Sequence, residues 1–165
     1  MGRYRPPAPR SSPHITPAGY QQLVDEQQAL WKRRIGVTRA LTAAAAEGDR
    51  SENAEYIYRK KELREIDRRI RYLQKRLPDL KVIREPPTDT NKVFFGAWAT
   101  LEDTAGHQVT YRIVGADELD PGKGWISIDS PMAAALLGKQ LDDEISFEAP
   151  AGWVSYCLLG IRYQD

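Results

Sequence analysis

Gly48-Asp49-Arg50-Ser51-Glu52-Asn53-Ala54-Glu55-Tyr56 sits inside the longest proline-free run of the chain, residues 18–77. Amphipathic, helix-forming sequence flanks it on both sides, so these nine residues read as the tip of a helical hairpin. Three carboxylates, Asp49, Glu52 and Glu55, recur there at i, i+3 and i+6. On a helix each stands about 60° round from the last, on one side. A plainer device uses the same letters. Asp49-x-x-Glu52 has capping-box spacing, with Asp in place of the usual Ser or Thr, and the macrodipole favours carboxylates at a helix N-terminus. Taken alone, the pair favours capping.

Upstream, Thr16 is a natural N-cap and Pro17 suits a first helical position. The helix that follows carries an apolar beat of seven: Leu23, Leu30, Val37, Ala44. Tyr20, Gln27, Arg34 and Leu41 interleave with it. Gly36 is expected to weaken this helix, by roughly 1 kcal/mol relative to Ala. Ala43 to Ala46 are small enough for two helices to approach closely, and Gly48 can close the first helix. Downstream, over about 52–77, Leu63, Ile66, Ile70, Leu73, Leu77 and Leu80 run at spacings of 3, 4, 3, 4, 3, a coiled-coil seam. Two such helices joined by a short turn predict an antiparallel hairpin. A shape with so little concavity holds no self-contained active site.

The second helix is also basic. Lys60, Arg64, Arg68, Arg71 and Lys75 step by 4, 4, 3 and 4 and share a face. A solvated face and a polyanion-binding face are both open readings. Tyr56 and Tyr58 either stack on a base or pack across the hairpin.

The whole-chain charge of +1 hides an asymmetry. Residues 1–91 carry 19 Lys and Arg against 12 Asp and Glu, a net of +7; residues 92–165 carry 5 against 11, a net of −6. Two modules with different partners are expected. The lone Cys157 excludes an internal disulfide and a cysteine-based zinc site, and fits a reducing compartment. His14 and His107 stand apart, which leaves no histidine triad or metal cluster in view. No apolar run reaches the ~18 residues of a membrane span and no signal-peptide core follows Met1, so a cytoplasmic protein is expected.

The fold class read from these patterns is α+β in two domains. Residues 1–14, rich in proline and arginine, are expected as a flexible tail. Residues 15–80 form the hairpin, with its tip at 48–55, and 81–91 form a linker around Pro86-Pro87. Residues 92–165 switch to strand patterning. KVFFGAWATLE and QVTYRIVG predict a hairpin about the turn Asp103–Gly106, and WISID predicts a further strand. Ser130-Pro131 opens a short helix closed at Gly138. EISFEA and WVSYCLLGIRY predict a second hairpin across Pro150-Ala151-Gly152. The expected product is a mostly antiparallel sheet with one short helix. Trp98, Trp125 and Trp153 are expected as core or surface anchors.

Two carboxylates are too few to hold Mg2+, which takes octahedral oxygen coordination and is usually shared with phosphates. Metal chemistry at this tip therefore needs a partner that brings the first metal and the phosphate substrate. The run GDRSENAEYIYRKKELREIDRRIRYLQKRL, followed by KVFFGAWATLED, YRIVGADE, WISIDSPMAAALLGK and FEAPAGWVSYCLLGIRY, closely resembles the bacterial Gre transcript-cleavage factors over residues 15–165. The basic run favours the GreB branch of that family.

The resemblance implies a hairpin that enters the secondary channel of bacterial RNA polymerase and stimulates the polymerase's own cleavage of backtracked RNA. The factor is then no enzyme itself, and its partners are polymerase and the nascent RNA 3′ end. The family's catalytic, metal-holding acids match Asp49 and Glu52, with Mg2+ shared with polymerase. Ser51, Asn53, Glu55 and Tyr56 support the tip, and Lys60, Arg64, Arg68, Arg71 and Lys75 face RNA. The C-terminal domain is implied to be FKBP-like and to dock on polymerase through Asp129, Ser130 and Pro131, residues that would also cap a helix. A monomer without membrane contact is implied. Three readings compete with this one: a channel-binding regulator that does not stimulate cleavage, an autonomous nuclease, and a coiled-coil adaptor.

Overall fold

The computed structural model describes residues 7–48 and 53–164. The chain divides into two compact units, one of Ala18–Leu80 and the other of the segment up to Pro17 together with that from Lys81 on.

The first unit is the helical hairpin. Helix α1 spans Pro17–Ala45 and α2 spans Ala54–Arg76. Leu23, Val37 and Ala44 are buried on α1, and Leu30 is half-buried, as the seven-residue beat predicts. From α2, Ile66, Ile70 and Leu73 are buried, and Ile66 and Ile70 join Val37 in a cluster flanked by Leu30 and Leu63. Contacts across the pair run Glu26 to Arg69, Arg33 to Glu62 and Ala44 to Asn53, so the helices are antiparallel. Helix α1 continues unbroken through Gly36, which is exposed. It ends at Ala45, where Ala46 and Glu47 donate to the carbonyls of Ala43 and Ala44 in tighter i−3 bonds, and Gly48 follows at φ +128°. A 3-10 turn at Leu77–Asp79 closes α2 at Pro78.

The second unit is a five-stranded sheet with one short helix. Its strands are β3 (Trp98–Asp103), β4 (Gln108–Val114), β5 (Trp125–Ser127), β6 (Glu144–Ala149) and β7 (Gly152–Arg162), in the order β5-β4-β3-β7-β6. The helix α3 covers Pro131–Leu136. Both expected hairpins are present, β3–β4 and β6–β7. Three of the four pairings are antiparallel, as expected; the fourth, β4 with β5, is parallel, so the sheet is mixed. No tight turn joins them. The chain crosses from Gly115 through a 3-10 turn at Pro121–Lys123 and returns in the same direction, and a crossover of this kind is what parallel pairing needs. Alternation places Ala99 and Leu101 of β3 inside, with Ile113, Ala133, Leu136, Ile145 and Leu158, and turns Trp98 and Thr100 to the opposite face.

Two segments expected outside regular structure meet here. His14–Ile15 (β1) pairs in parallel with Lys81–Val82 (β2), the first from the expected tail and hairpin start, the second from the expected linker. Ile15 is 0% exposed, so its burial gives this short pair an apolar anchor. Glu118 holds the next residue: its carboxylate accepts from the Thr16 backbone N–H (2.8 Å), the Thr16 hydroxyl (2.5 Å) and the Gly115 N–H (2.9 Å). Gly115 permits the approach. A Cβ there would stand 2.2 Å from the His14 carbonyl oxygen.

Candidate functional site

The end of the hairpin is built around one side chain. Asn53 is the N-cap of α2, in extended conformation, and its Oδ1 accepts from the Tyr56 N–H at 3.1 Å. Its Nδ2 donates to the Ala44 carbonyl at 2.7 Å. One amide thus gives the Ala44 carbonyl at the end of α1 a second donor beside the Glu47 N–H, and satisfies an orphan donor at the start of α2. The capping-box register, with Asp49 as N-cap, is therefore not the one that starts α2. Asp49, Ser51 and Glu52 lie outside the described residues.

Behind this cap runs a chain of charges. Glu55 accepts from Arg59 Nε at 2.8 Å, Arg59 Nη1 reaches Glu62 at 3.0 Å, and Arg33 donates Nε (2.9 Å) and Nη2 (2.6 Å) to the other Glu62 oxygen. Hydrogen bonding from Arg33 first, and from Arg59, holds the Glu62 carboxyl below its ordinary range against the opposing effect of desolvation. The carboxylates of Glu55 and Glu62 hold the Arg59 guanidinium above its ordinary value. Glu55, third member of the acidic series, is thus engaged with an arginine. Tyr56 is half-buried beneath Lys60, whose Nζ lies 5.8 Å from the ring centroid. Among the described residues no group of three or more His, Cys, Asp or Glu is placed to hold a metal.

Pairing separates the cations of α2. Arg59 and Arg69 are tied to carboxylates, Arg69 to Glu26 of α1 at 2.7 Å. Lys60, Arg64, Arg68, Arg71 and Lys75 are all exposed, and no ion pair is found for them among the described residues. The predicted face is a continuous row of cations open to solvent.

In the second unit, Ser130 caps α3 by accepting from the Ala133 N–H at 3.2 Å, and Pro131 takes the first helical position. Helix capping accounts for these two residues. It does not account for Asp129, which is exposed and whose Oδ2 accepts from the Ser12 N–H at 2.9 Å. The N-terminal segment thus reaches the 129–131 turn.

Two family profiles cover this chain. One, described as the N-terminal domain of transcription elongation factors, matches residues 14–82; the other, "Transcription elongation factor, GreA/GreB, C-term", matches residues 87–163. The chain belongs to the GreA/GreB family of transcription elongation factors. It is 58% identical over 165 residues to transcription elongation factor GreB of Xanthomonas axonopodis pv. citri (strain 306), covering 99% of this chain and 98% of that protein. It is 57% identical over 164 residues to GreB of Pseudomonas aeruginosa, with 99% and 98% covered. Among solved structures, GreA factor homolog 1 of Thermus thermophilus is 25% identical over 93% of this chain and 99% of its own, at a TM-score of 0.43.

For a Gre-family factor, the residues that sequence reading missed are those that hold the hairpin end together. Arg33, Arg59 and Glu62 each sit in a dense charge run, and only the antiparallel register shows that they meet. The resemblance placed Asn53 only in support of the tip; its bond back to Ala44 spans the turn and has no local signal. No helix among the described residues is long and apolar enough to cross a membrane.

Proposed function

We propose that this chain binds bacterial RNA polymerase, inserts its hairpin end into the secondary channel, and stimulates the polymerase's own cleavage of backtracked nascent RNA. The observation that carries the reading is the Asn53 clip. The segment between Ala44 and Asn53 contains Asp49 and Glu52, and its two ends are tied by one amide at the end of a long antiparallel pair. With α2 capped by Asn53, these two acids are not needed to start the helix, so their plainest structural employment falls away.

Asp49 and Glu52 are hard oxygen donors of the type magnesium takes, but two carboxylates leave an octahedral shell incomplete. The ion is accordingly held jointly with polymerase and the scissile phosphate, where it supplies charge stabilisation and an activated water. Asp49 acts as the main ligand, and Glu52 as a second ligand or the group that orients the water. Asn53 and the Arg33–Glu62–Arg59–Glu55 series hold the hairpin end from behind. The exposed row from Lys60 to Lys75 lies along the RNA phosphates, with Tyr56 beside it. Asp129, Ser130 and Pro131 dock the second unit on the polymerase. The factor works as a cytoplasmic monomer and is not itself a nuclease.

The test is a reconstituted backtracked elongation complex with end-labelled RNA and Mg2+. Transcript shortening is expected only when this protein and polymerase are both present. Binding to polymerase without shortening would support the non-stimulating regulator instead, and cutting of free RNA by the protein alone would support a nuclease.

A further inference from the structure

A row of alternating cations and indoles crosses the sheet on the face opposite the core. Arg162 of β7, Trp98 of β3, Arg112 of β4 and Trp125 of β5 occupy successive register positions. Arg162 lies 4.8 Å from the Trp98 ring centroid, Arg112 lies 5.7 Å from Trp98 and 5.6 Å from Trp125, and Lys123 Nζ lies 4.7 Å from Trp125. Cross-strand stacking of this kind helps hold strands together. Strand pairing alone does not explain where the charge is concentrated. Residues 92–165 contain only five Lys and Arg against eleven Asp and Glu, and three of those five are in this row.

The Arg162 end is open. Arg162 is exposed, donates Nη1 to the Gln164 carbonyl at 3.1 Å, and lines a groove of about 510 Å³ with Thr90, Asn91, Tyr163 and Gln164. The lining of that groove contains this one cation and no carboxylate. A guanidinium held over an indole is a planar fork of N–H donors, and those of Arg162 not given to Gln164 match a carboxylate.

We propose that the Arg162 end of this row is a recognition site for an acidic segment of a protein partner. On the reading given above, on which this inference rests, that partner is RNA polymerase. The second unit then has a contact besides the 129–131 turn. A nucleic acid is the poorer occupant on two counts. Trp98 carries a guanidinium against it from β4 and another from β7, which leaves its ring faces poorly placed to stack a base. A strand of closely spaced phosphates would also meet a segment, residues 92–165, of net charge −6. One or two carboxylates need only the local cations, since screening limits the wider field to about 10 Å.

The experiment measures competition of full-length variants for core RNA polymerase. Arg162→Glu is expected to weaken binding at least tenfold, and Arg162→Lys about threefold, because Lys keeps the charge and loses the fork. At saturating factor, both should restore the parental cleavage rate. Binding of a labelled single-stranded RNA oligonucleotide should be the same for parent and variants. Parental polymerase affinity for folded Arg162→Glu would overturn the proposal, as would a loss confined to the oligonucleotide. Should Arg162→Glu fail to fold, Arg162→Lys decides in the same way. A parent protein that does not bind polymerase sinks the functional reading itself; a parent that binds alongside unaffected Arg162 variants sinks only this inference.

Discussion

Replacing Asn53 by Ala removes two hydrogen bonds with one substitution. Loss of the N-cap acceptor for the Tyr56 N–H costs about 1 kcal/mol. Loss of the amide donor leaves the Ala44 carbonyl without this partner and costs about 1 kcal/mol more. The expected destabilisation of the hairpin is thus about 2 kcal/mol. Asn53→Asp separates the two terms. Asp is as good an N-cap and its charge suits the start of α2, but it cannot donate to Ala44, so the expected loss is about 1 kcal/mol. Urea unfolding followed by helical circular dichroism measures both. Amide hydrogen exchange then localises the effect. Tyr56 should lose protection in Asn53→Ala and keep it in Asn53→Asp. Ile57, which donates to the Asn53 backbone carbonyl, should be far less affected in either. Equal stability of parent, Asn53→Asp and Asn53→Ala would refute the reasoning that one side chain closes both helix ends.

Glu62→Gln should lower stability at neutral pH by on the order of 1 kcal/mol, since its arginine partners are partly exposed. The folded carboxyl lies below its unfolded value, so its contribution is complete above the ordinary glutamate range, near pH 4.3, and is lost as pH falls through the depressed value; the variant should show a flatter acid limb in a stability–pH series. Replacing Arg64, Arg68 and Arg71 together by Ala should leave folding near parental, because all three are exposed. It should impair cleavage of long backtracked RNA more than short, and lower the salt slope by about 0.7 per lost phosphate contact; an unchanged slope would remove these residues from RNA. Asp129→Ala should weaken polymerase binding in a competition assay while Ser130 and Pro131 still start α3, and unchanged affinity would place the docking surface elsewhere.

The hairpin was legible because its signal is periodic. The leucine and isoleucine spacing of α2 and the seven-residue beat of α1 name their buried positions without any knowledge of the partner helix. The sheet was legible strand by strand for the same reason, since alternation and turn residues are local. Its mixed pairing was not. Trp125–Ser127 is three residues long, and direction depends on the crossover from Gly115, which sequence patterning does not describe. The β1–β2 pair was hidden because two residues carry no periodicity, and because prolines on both segments read as loop. At the candidate site, the exposed row from Lys60 to Lys75 followed from spacing alone. Roles for Asp49 and Glu52 came from family resemblance, because spacing alone favoured capping. The structure caps α2 with Asn53, a register that the sequence, with two acids at capping-box distance, did not single out.

The most direct test of the account compares the parent with the Asp49→Asn, Glu52→Gln double variant in backtracked elongation complexes, at matched polymerase occupancy. Both substitutions keep size and hydrogen-bonding capacity and remove charge. The account predicts normal folding, normal binding and a collapse of cleavage by several kcal/mol in the barrier, a thousandfold or so in rate, since the lost groups act on the transition state. Cleavage by the double variant at a near-parental rate would contradict it.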